Sequence, residues 1–288
     1  MGAALACGLA TVDVVQVVDA VPGPNEKVVA LSTTVAAGGP ACNAAMACSR
    51  LGVETRFVGA VGSGAFSAVV LGDLARHAIS VTDLAPPSFE PPLSTVLVAR
   101  GSGERAVVSR NAVGVEGYEE VSPSRAEALL SGVGALLVDG HHLPVALALA
   151  QEARRREVPV VLDGGSWKPG LEALLALVDV AVVSADFHAP GVADLDGLRA
   201  LGPWWVARTD GPRPVTWQAA DGGSGEVAVP EVEVVDTLGA GDVLHGALLA
   251  AVARDGLGDL PGALEQAVAI AARSVGAPGA LGWDAPER

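Results

Sequence analysis

The sequence predicts an α/β fold in which helices cover both faces of a mostly parallel central sheet and a small β-sheet forms a lid. Three observations support this prediction. Short apolar runs typical of strands alternate with helical runs, two hairpin-like segments interrupt the alternation, and 288 residues are enough for one large domain. Half of the residues are hydrophobic, but no stretch approaches the roughly 18 uninterrupted apolar residues that a membrane span needs.

The alternating segments define the central sheet and its two helical layers. Strands are predicted at residues 4–9, 55–61, 135–138, 158–162, 180–183, 204–207 and 232–235. Helices are predicted at residues 43–51, 69–77, 144–157, 170–177, 243–252 and 260–275. Strands that alternate with helices run parallel, so their carboxyl ends share one edge of the sheet, where ligands of open α/β folds bind.

Two segments break the alternation and predict the lid. Residues 12–35 contain two β-rich stretches around the turn 21–25, and residues 94–110 contain two more around the turn 100–104. We expect two hairpins that form a small sheet over the carboxyl edge, within one domain that spans residues 1–288. An ordinary extension of the edge of the main sheet is the alternative.

The acidic composition restricts the partners of this protein. Its net charge is −15, and because a nucleic-acid partner requires a basic face, we expect none. Neither of the two lysines, Lys27 and Lys168, lies in a Gly-x-x-x-x-Gly-Lys-Ser/Thr loop, which excludes that nucleotide-binding motif. The three cysteines, Cys7, Cys42 and Cys48, contain no Cys-x-x-Cys pair and are expected to be free and buried. The apolar start lacks a basic leader, so we expect a cytoplasmic protein without a membrane partner.

Residues 236–242 (Asp-Thr-Leu-Gly-Ala-Gly-Asp) carry the strongest chemical signal. They lie between a predicted strand and a predicted helix. Glycines allow backbone N–H groups to approach a ligand, and a helix N-terminus carries about half a positive charge, so the segment suits a phosphoryl group. Asp242 would be placed to accept a proton from an attacking hydroxyl, while its alternative role is that of a helix N-cap.

This segment resembles the C-terminal signature of the ribokinase-like (PfkB) carbohydrate kinases. Residues 38–45 (Gly-Gly-Pro-Ala-Cys-Asn-Ala-Ala) resemble the N-terminal Gly-Gly-x-x-x-Asn element of that family, and residues 8–13 resemble its Gly-x-x-x-x-Asp opening. The resemblance implies a ribokinase-like three-layer α/β/α sandwich and an ATP-dependent transfer of the γ-phosphate to a primary hydroxyl of a sugar. It also implies Mg²⁺, leaves open a monovalent cation such as K⁺, and suggests a homodimer formed through the lid.

The resemblance and the positions along the chain assign candidate site residues. By resemblance the base is Asp242, and the backbone that stabilises the transferring group belongs to Gly239, Ala240 and Gly241. The sugar would be bound by Asp13, Gly38, Gly39 and Asn43. The nucleotide would be bound by Ser184, Thr209, Gly211, Gly239, Gly241 and Ser274. The family's Asn-x-x-Glu element, tied to magnesium, is missing, and Asp186 is the metal candidate at that place. Position in the predicted hairpins, or at a strand end, adds Lys27, Arg105, Arg110 and His141 as substrate candidates, and the three cations make an anionic substituent conceivable.

Several alternatives remain at this point. The turns at residues 24–27 and 103–105, with residues 163–165, resemble a branch of the family with ketohexokinase-like and sulfofructose-kinase-like members, which favours a ketohexose. A nucleoside kinase would need aromatic stacking surfaces, and aromatic residues make up only 3% of the chain. A sugar- or nucleotide-binding homologue without activity is a third possibility. Gly62-Ser63-Gly64 with Asp83 resembles a dinucleotide-binding fingerprint whose last glycine is missing.

Overall fold

A computed structural model describes residues 2–100, 105–110 and 120–284. The strands are β1 Ala3–Cys7, β2 Thr11–Val18, β3 Ser32–Gly38, β4 Thr55–Gly59, β5 Ser80–Asp83, β6 Leu93–Ala99, β7 Arg105–Ser109, β8 Val133–Val138, β9 Val160–Gly164, β10 Val180–Ser184, β11 Trp205–Asp210, β12 Arg213–Ala219 and β13 Ser224–Val227. The helices are α1 Pro40–Arg50, α2 Ala65–Arg76, α3 Pro123–Leu129, α4 Leu143–Arg155, α5 Leu171–Leu175, α6 Leu195–Arg199, α7 Ala240–Asp255 and α8 Leu260–Ser274, followed by a 3-10 turn at Gly282–Asp284.

The main sheet has nine strands in the order β13-β12-β11-β10-β9-β8-β1-β4-β5. All pairs from β11 to β5 are parallel, and only β11–β12 and β12–β13 are antiparallel. Helices cover both faces, so the predicted three-layer α/β fold is confirmed. Because the strands are parallel, the residues that follow β1, β8, β9, β10 and β11 lie along one edge of the sheet.

Alternating side chains of the central strands pack into two separate hydrophobic cores, one on each face of the sheet. In β1, Ala4 and Ala6 pack into the core on the side of α1, α7 and α8, whereas Leu5 and Cys7 pack into the core on the side of α3 to α6. This two-residue period is the expected geometry of a strand that is buried on both faces. Across the described residues, no helix is both long and apolar enough to span a membrane.

The two predicted hairpins combine into a separate four-stranded sheet with the order β3-β2-β6-β7. Strands β2 and β3 are antiparallel, as are β6 and β7, and β2 pairs with β6 in parallel. This sheet is the lid that the sequence predicts. The lid lies beside the carboxyl edge because β2 follows β1 after only a short connection.

The prediction of a strand at residues 232–235 is wrong. This segment forms no regular secondary structure, and the side chains of Val232, Val234 and Val235 are exposed. It is held instead at its end, where the amide of Val235 donates to the carbonyl of Val275 at 2.7 Å. Its alternating valines satisfied the pattern of a strand, but no strand of the described chain lies beside them to complete a ladder.

Candidate active site

The first turn of α7 follows a glycine turn, in which the amide of Ala240 donates to the carbonyl of Thr237 at 3.4 Å. Gly239 adopts φ +74°, a left-handed conformation that favours glycine, and α7 begins at the next residue. Asp236 fixes the approach, because its carboxylate accepts the amides of Leu238 at 2.8 Å and Gly279 at 2.9 Å. Apart from its chain neighbours and the nearby backbone of α7, no described atom lies within 4 Å of the position that a Cβ of Gly241 would occupy. A ligand can therefore reach the backbone here.

Asp242 lies in that first turn and is hydrogen-bonded to the neighbouring helix. The side-chain amide of Asn43, in α1, donates to Oδ2 of Asp242 at 2.7 Å. The two helices approach closely because Gly246 faces the backbone of α1. A Cβ at Gly246 would lie 2.4 Å from the carbonyl oxygen of Ala44. The close crossing of the two helices thus brings together the amide of Asn43 and the carboxylate of Asp242, which are 199 residues apart in the chain.

The environment of Asp242 is that of a base that titrates near neutrality. Burial raises the pKa of its carboxyl to about 7, and the charge of Asp163 adds to this effect. The hydrogen bond from Asn43 and the charge of His245 act in the opposite direction. The residue still keeps a partly exposed surface toward the neighbouring cavity. A carboxyl with a pKa in this range is well suited to take up a proton in a reaction at neutral pH.

A cavity of about 180 Å³ lies between the first turn of α7 and the lid. Its polar lining includes Thr11, Asp13, Asn43, Ser94, Ser109 and Asp242. Val96 and Val107, from the lid, supply apolar walls. Two carboxylates, one amide and three hydroxyls around a small volume are suited to a ligand with several hydroxyl groups.

The register of the lid explains which of its side chains face this cavity. Asp13 in β2 is the register partner of Ser94 in β6, and Ser94 is the partner of Ser109 in β7. Residues in such a row share one face of a sheet, and the hydroxyl groups of Ser94 and Ser109 are 2.9 Å apart. The hydroxyl of Thr11 donates to Oδ1 of Asp13 at 2.8 Å. Burial raises the pKa of Asp13, while the hydrogen bonds from Thr11 and Ser94 oppose that shift.

The glycine pair before α1 allows backbone and side chains to approach closely. A Cβ at Gly38 would lie 2.0 Å from Oδ2 of Asp13. Gly39 has φ +96°, and a Cβ there would lie 2.4 Å from the carbonyl oxygen of Leu9. Both glycines are therefore required by the fold of the cavity wall, and any larger residue would displace Asp13 or the chain that leads to it.

Asp139, which follows β8, holds the backbone of this cavity wall through hydrogen bonds. This residue was not identified from the sequence. Its carboxylate accepts the amides of Leu9 at 2.8 Å, Ala41 at 3.2 Å and His141 at 2.9 Å. Burial alone would raise the pKa of Asp139, but the charge and hydrogen bonds of His141 and the Leu9 amide outweigh it and hold the pKa well below its usual value. Asp139 thus joins β1, β8 and α1 as a buried carboxylate.

A second group of predicted residues lies further along the same edge of the sheet. Ser184 at the end of β10 and Thr209 near the end of β11 are register partners. Gly211 follows in the turn to β12 with φ +56°, and no atom lies within 4 Å of a Cβ built on it. The hydroxyl of Ser184 donates to the carbonyl of Gly165 at 2.8 Å. This arrangement leaves backbone exposed where an extended ligand could lie against the edge.

Comparisons with known proteins agree with this geometry. The family described as pfkB family carbohydrate kinase matches residues 1–287. The chain belongs to the pfkB family of carbohydrate kinases. It is therefore a phosphotransferase that uses an alcohol group as acceptor, and the sequence-based prediction of its family and reaction class is confirmed.

Named relatives of this pfkB kinase include ribokinases. It is 26% identical over 285 residues to a ribokinase of Bacillus subtilis (strain 168), covering 96% of this chain and 93% of that protein. A crystal structure of a proposed ribokinase from Agrobacterium tumefaciens is 27% identical, with a TM-score of 0.84 over 98% of this chain and 94% of that one. An Arabidopsis thaliana ribokinase, complexed with ribose and ATP, shares the fold at 20% identity, with a TM-score of 0.79 over 96% of this chain and 94% of that one.

Some candidate residues of this pfkB kinase lie outside the cavity. Lys27 is exposed in the connection between β2 and β3, and Arg110 is exposed at the end of β7. His141 lies beside Asp139, with its Nδ1 3.2 Å from Oδ1 of that carboxylate. Arg105 reaches a different target, because its guanidinium donates to the hydroxyl of Thr237 at 3.1 Å. None of these four side chains lines the cavity.

The position of Ser274 gives no support to its predicted contact with adenine. Its side chain is buried in the last turn of α8, and its hydroxyl donates to the carbonyl of Ala271 at 2.8 Å. The hydroxyl of Ser274 therefore donates its proton within the helix and not to a ligand. The motif around it reflects helix packing, which was the other interpretation of its alanine-rich composition.

The structure also argues against the dinucleotide-binding alternative. The helix N-terminus that pyrophosphate would need, at α2, is covered by Glu90, whose carboxylate accepts the amides of Ala65 and Phe66 at 3.0 Å each. Asp83 is occupied as well, since it accepts the amides of Val61 and Gly62 at 2.9 and 2.8 Å. The protein's own carboxylates therefore take the positions that a dinucleotide would use.

Proposed function

We propose that this kinase transfers the γ-phosphate of ATP to a primary hydroxyl of a sugar bound between the lid and α7, with Asp242 as the base. One observation carries the proposal. Asp242, with a raised pKa, faces the same small polar cavity as Asp13 and lies in a turn whose backbone is uncrowded at Gly241. Base, acceptor site and anion site are thus adjacent.

Each group has a defined task in this mechanism. Asn43 occupies Oδ2 of Asp242, which leaves Oδ1 to accept the proton of the sugar hydroxyl. The amides of the turn at Gly239, Ala240 and Gly241 stabilise the charge on the phosphoryl group in transit. Asp13 accepts hydrogen bonds from other sugar hydroxyls, with Gly38 and Gly39 providing the close approach. Closure of the lid would exclude water that competes for the phosphate.

ATP would extend from this turn along the edge of the main sheet, past Ser184, Thr209 and Gly211. Mg²⁺ would neutralise charge on its phosphates. No cluster of three or more metal-ligating side chains occurs among the described residues, which suits an ion that binds through phosphates, waters and one or two carboxylates. We propose Asp186, exposed beyond the end of β10, as the carboxylate that faces those waters. Comparing the rate of phosphoryl transfer with and without K⁺, at constant ionic strength, tests whether the enzyme uses a monovalent cation.

The cavity favours a neutral sugar, with a ketohexose as the first candidate from the ketohexokinase-like motifs. Its described lining carries two carboxylates, Asp13 and Asp242, and no basic side chain. An anionic substituent would be repelled there, and Lys27 and Arg110 do not reach it. A nucleoside is also disfavoured, because the described lining includes no aromatic ring on which a base could stack. The intact Asp242 distinguishes this chain from a binding protein without activity.

A substrate screen tests the proposal directly. ATP consumption should be measured over ketoses, aldoses, sugar acids, sugar phosphates and nucleosides, with Asp242→Asn as the blank. We expect one or a few neutral sugars to give turnover that the variant lacks. Turnover confined to a sugar phosphate or a nucleoside would contradict the neutral-sugar assignment, and no turnover above the blank would contradict the kinase proposal.

The pH dependence of kcat/KM should report Asp242. Because burial raises its pKa to about 7, the carboxyl is neutral below that pH and unable to accept a proton. We expect kcat/KM to fall by about tenfold per pH unit below about pH 6 and to level off above about pH 8. The profile should be recorded at constant ionic strength. A profile that is flat down to about pH 5 would show that the base has an ordinary carboxyl pKa.

We also propose a homodimer through the lid. Val35, Val14, Thr95 and Val108 are successive register partners across the four strands, on the face opposite to Asp13. Val35 and Val108 are 52% and 74% exposed, and a row of exposed valines on a sheet is a surface that another copy can cover. We expect Val108→Lys to shift the mass measured by light scattering from dimer to monomer. A wild-type protein that is monomeric at micromolar concentration would contradict this.

A further inference from the structure

His245 lies one helical turn after Asp242 and is buried beneath the active site. Its Nδ1 is 2.7 Å from the carbonyl oxygen of Gly241, and its Nε2 is 3.0 Å from the carbonyl oxygen of Val182 in β10. Both distances are those of hydrogen bonds. The ring therefore connects the first turn of α7 to the central strand beside it.

The two partners determine the protonation state of this ring. A carbonyl oxygen can only accept, so each ring nitrogen must donate to form its bond. A neutral imidazole carries one N–H and would turn a lone pair toward one of the two carbonyls. Only the imidazolium, with both nitrogens protonated, satisfies Gly241 and Val182 together.

Asp163, at the C-terminal end of β9, supplies the compensating charge. Its Oδ2 is 3.2 Å from Nδ1 of His245, the side chain is buried, and no described residue forms a hydrogen bond with that oxygen. A carboxylate buried without a counter-charge is costly, as is a buried imidazolium, so each makes the other tolerable. Burial raises the pKa of Asp163, and the charge of His245 is the largest effect that opposes this shift. Asp139, Lys168 and His141 also act on Asp163, and Asp242 is affected by both members of the pair.

We propose that Asp163 and His245 form a buried carboxylate–imidazolium pair that positions the first turn of α7 for phosphoryl transfer. The proposal rests on the role proposed for Asp242. The carbonyl of Gly241 and the amide of Asp242 belong to one rigid peptide plane. By holding that carbonyl, His245 fixes the stretch of backbone from which the side chain of Asp242 reaches the cavity. Both members are positioning residues, because neither lines the cavity.

The pair also sets the electrostatic environment of the base. The charge of Asp163 raises the pKa of Asp242, and the charge of His245 lowers it. The two effects oppose each other as long as both groups stay ionised. Loss of one charge would leave the other acting alone on Asp242.

Nitrogen NMR of the wild-type protein, labelled at its five histidines, tests the charge state without turnover. The resonances are assigned by replacing the histidines one at a time. We expect both ring nitrogens of His245 to be protonated at about pH 7.5, because each is within hydrogen-bond distance of a carbonyl oxygen that can only accept. One unprotonated nitrogen at that pH would overturn the proposal. This readout is independent of whether the chain phosphorylates a sugar.

Asp163→Asn tests the positioning role. The amide keeps the size of the side chain but removes the counter-charge, so His245 should lose one ring proton at the same pH. We expect kcat to fall about 10- to 100-fold, with KM for sugar and ATP nearly unchanged. Asp255→Asn, at the exposed far end of α7, is the matched control and should alter neither quantity. Unchanged kcat, or a rise in KM that accounts for the whole loss, would overturn the positioning role. If the variant does not fold, the wild-type spectrum still decides the charge state.

Discussion

Asp242→Asn is expected to lower kcat by about 10²- to 10⁴-fold while leaving KM for sugar and ATP nearly unchanged. The amide has almost the size and shape of the carboxylate, and its oxygen can still accept the hydrogen bond from Asn43. What the variant loses is the capacity to take up a proton at neutral pH. Steady-state kinetics at about pH 8, where the wild-type carboxyl is ionised, measure this loss most cleanly.

Two further measurements make the result specific to the base. Asp255→Asn makes the same chemical change on the same helix at an exposed position and should retain wild-type kinetics. The affinity of Asp242→Asn for the sugar, measured by calorimetry, should stay close to that of the wild-type protein. Turnover near the wild-type rate would remove Asp242 from the role of base, and a loss confined to KM would make it a sugar-binding residue instead.

Gly241→Ala should separate activity from stability. Apart from its chain neighbours and the nearby backbone of α7, a methyl group here meets no described atom within 4 Å, so it fits the folded chain, but it occupies the space through which a phosphoryl group must approach the amides. We expect kcat to fall about 10²-fold or more, the size of effect seen when an anion-stabilising donor is lost. The free energy of unfolding should stay the same or rise by up to about 1 kcal/mol, because alanine favours the helix over glycine.

Gly72→Ala is the matched control for this substitution. Gly72 lies within α2, and the nearest atom to a Cβ built there is the end of the Arg76 side chain, at 3.8 Å. This variant should show the gain in stability with wild-type kinetics. If Gly241→Ala also kept wild-type kinetics, the turn would not be the anion site. If Gly241→Ala unfolded the protein, the space beside Gly241 would not accommodate a methyl group.

The residues that the motifs identified are those whose role depends on local geometry. Gly239 and Asp242 are three residues apart, at a turn and the helix that follows it, so the pattern itself implied an anion site with an acid inside it. Asp13 was assigned by the resemblance of residues 8–13 to the Gly-x-x-x-x-Asp opening of the family. The prediction of a strand at residues 232–235 failed because a strand depends on contacts that are not local. A ladder needs a neighbour, and the alternation of valines carries no information about whether one exists.

The remaining parts of the site depend on pairings across the sheets. Ser94 and Ser109 reach the cavity because the register of the lid sets them in one row with Asp13. Asp163 and His245 meet because α7 packs over β9 and β10, and these strands lie far from α7 in the sequence. Local patterns therefore predicted the α/β fold and an anion-binding turn with an acid inside it, and the resemblance of three motifs to the family predicted a carbohydrate kinase. The charge of the cavity, the contacts beneath Asp242 and the positions of Ser274 and Lys27 away from the cavity followed only from folding, because burial and long-range contacts decide which side chains share one space.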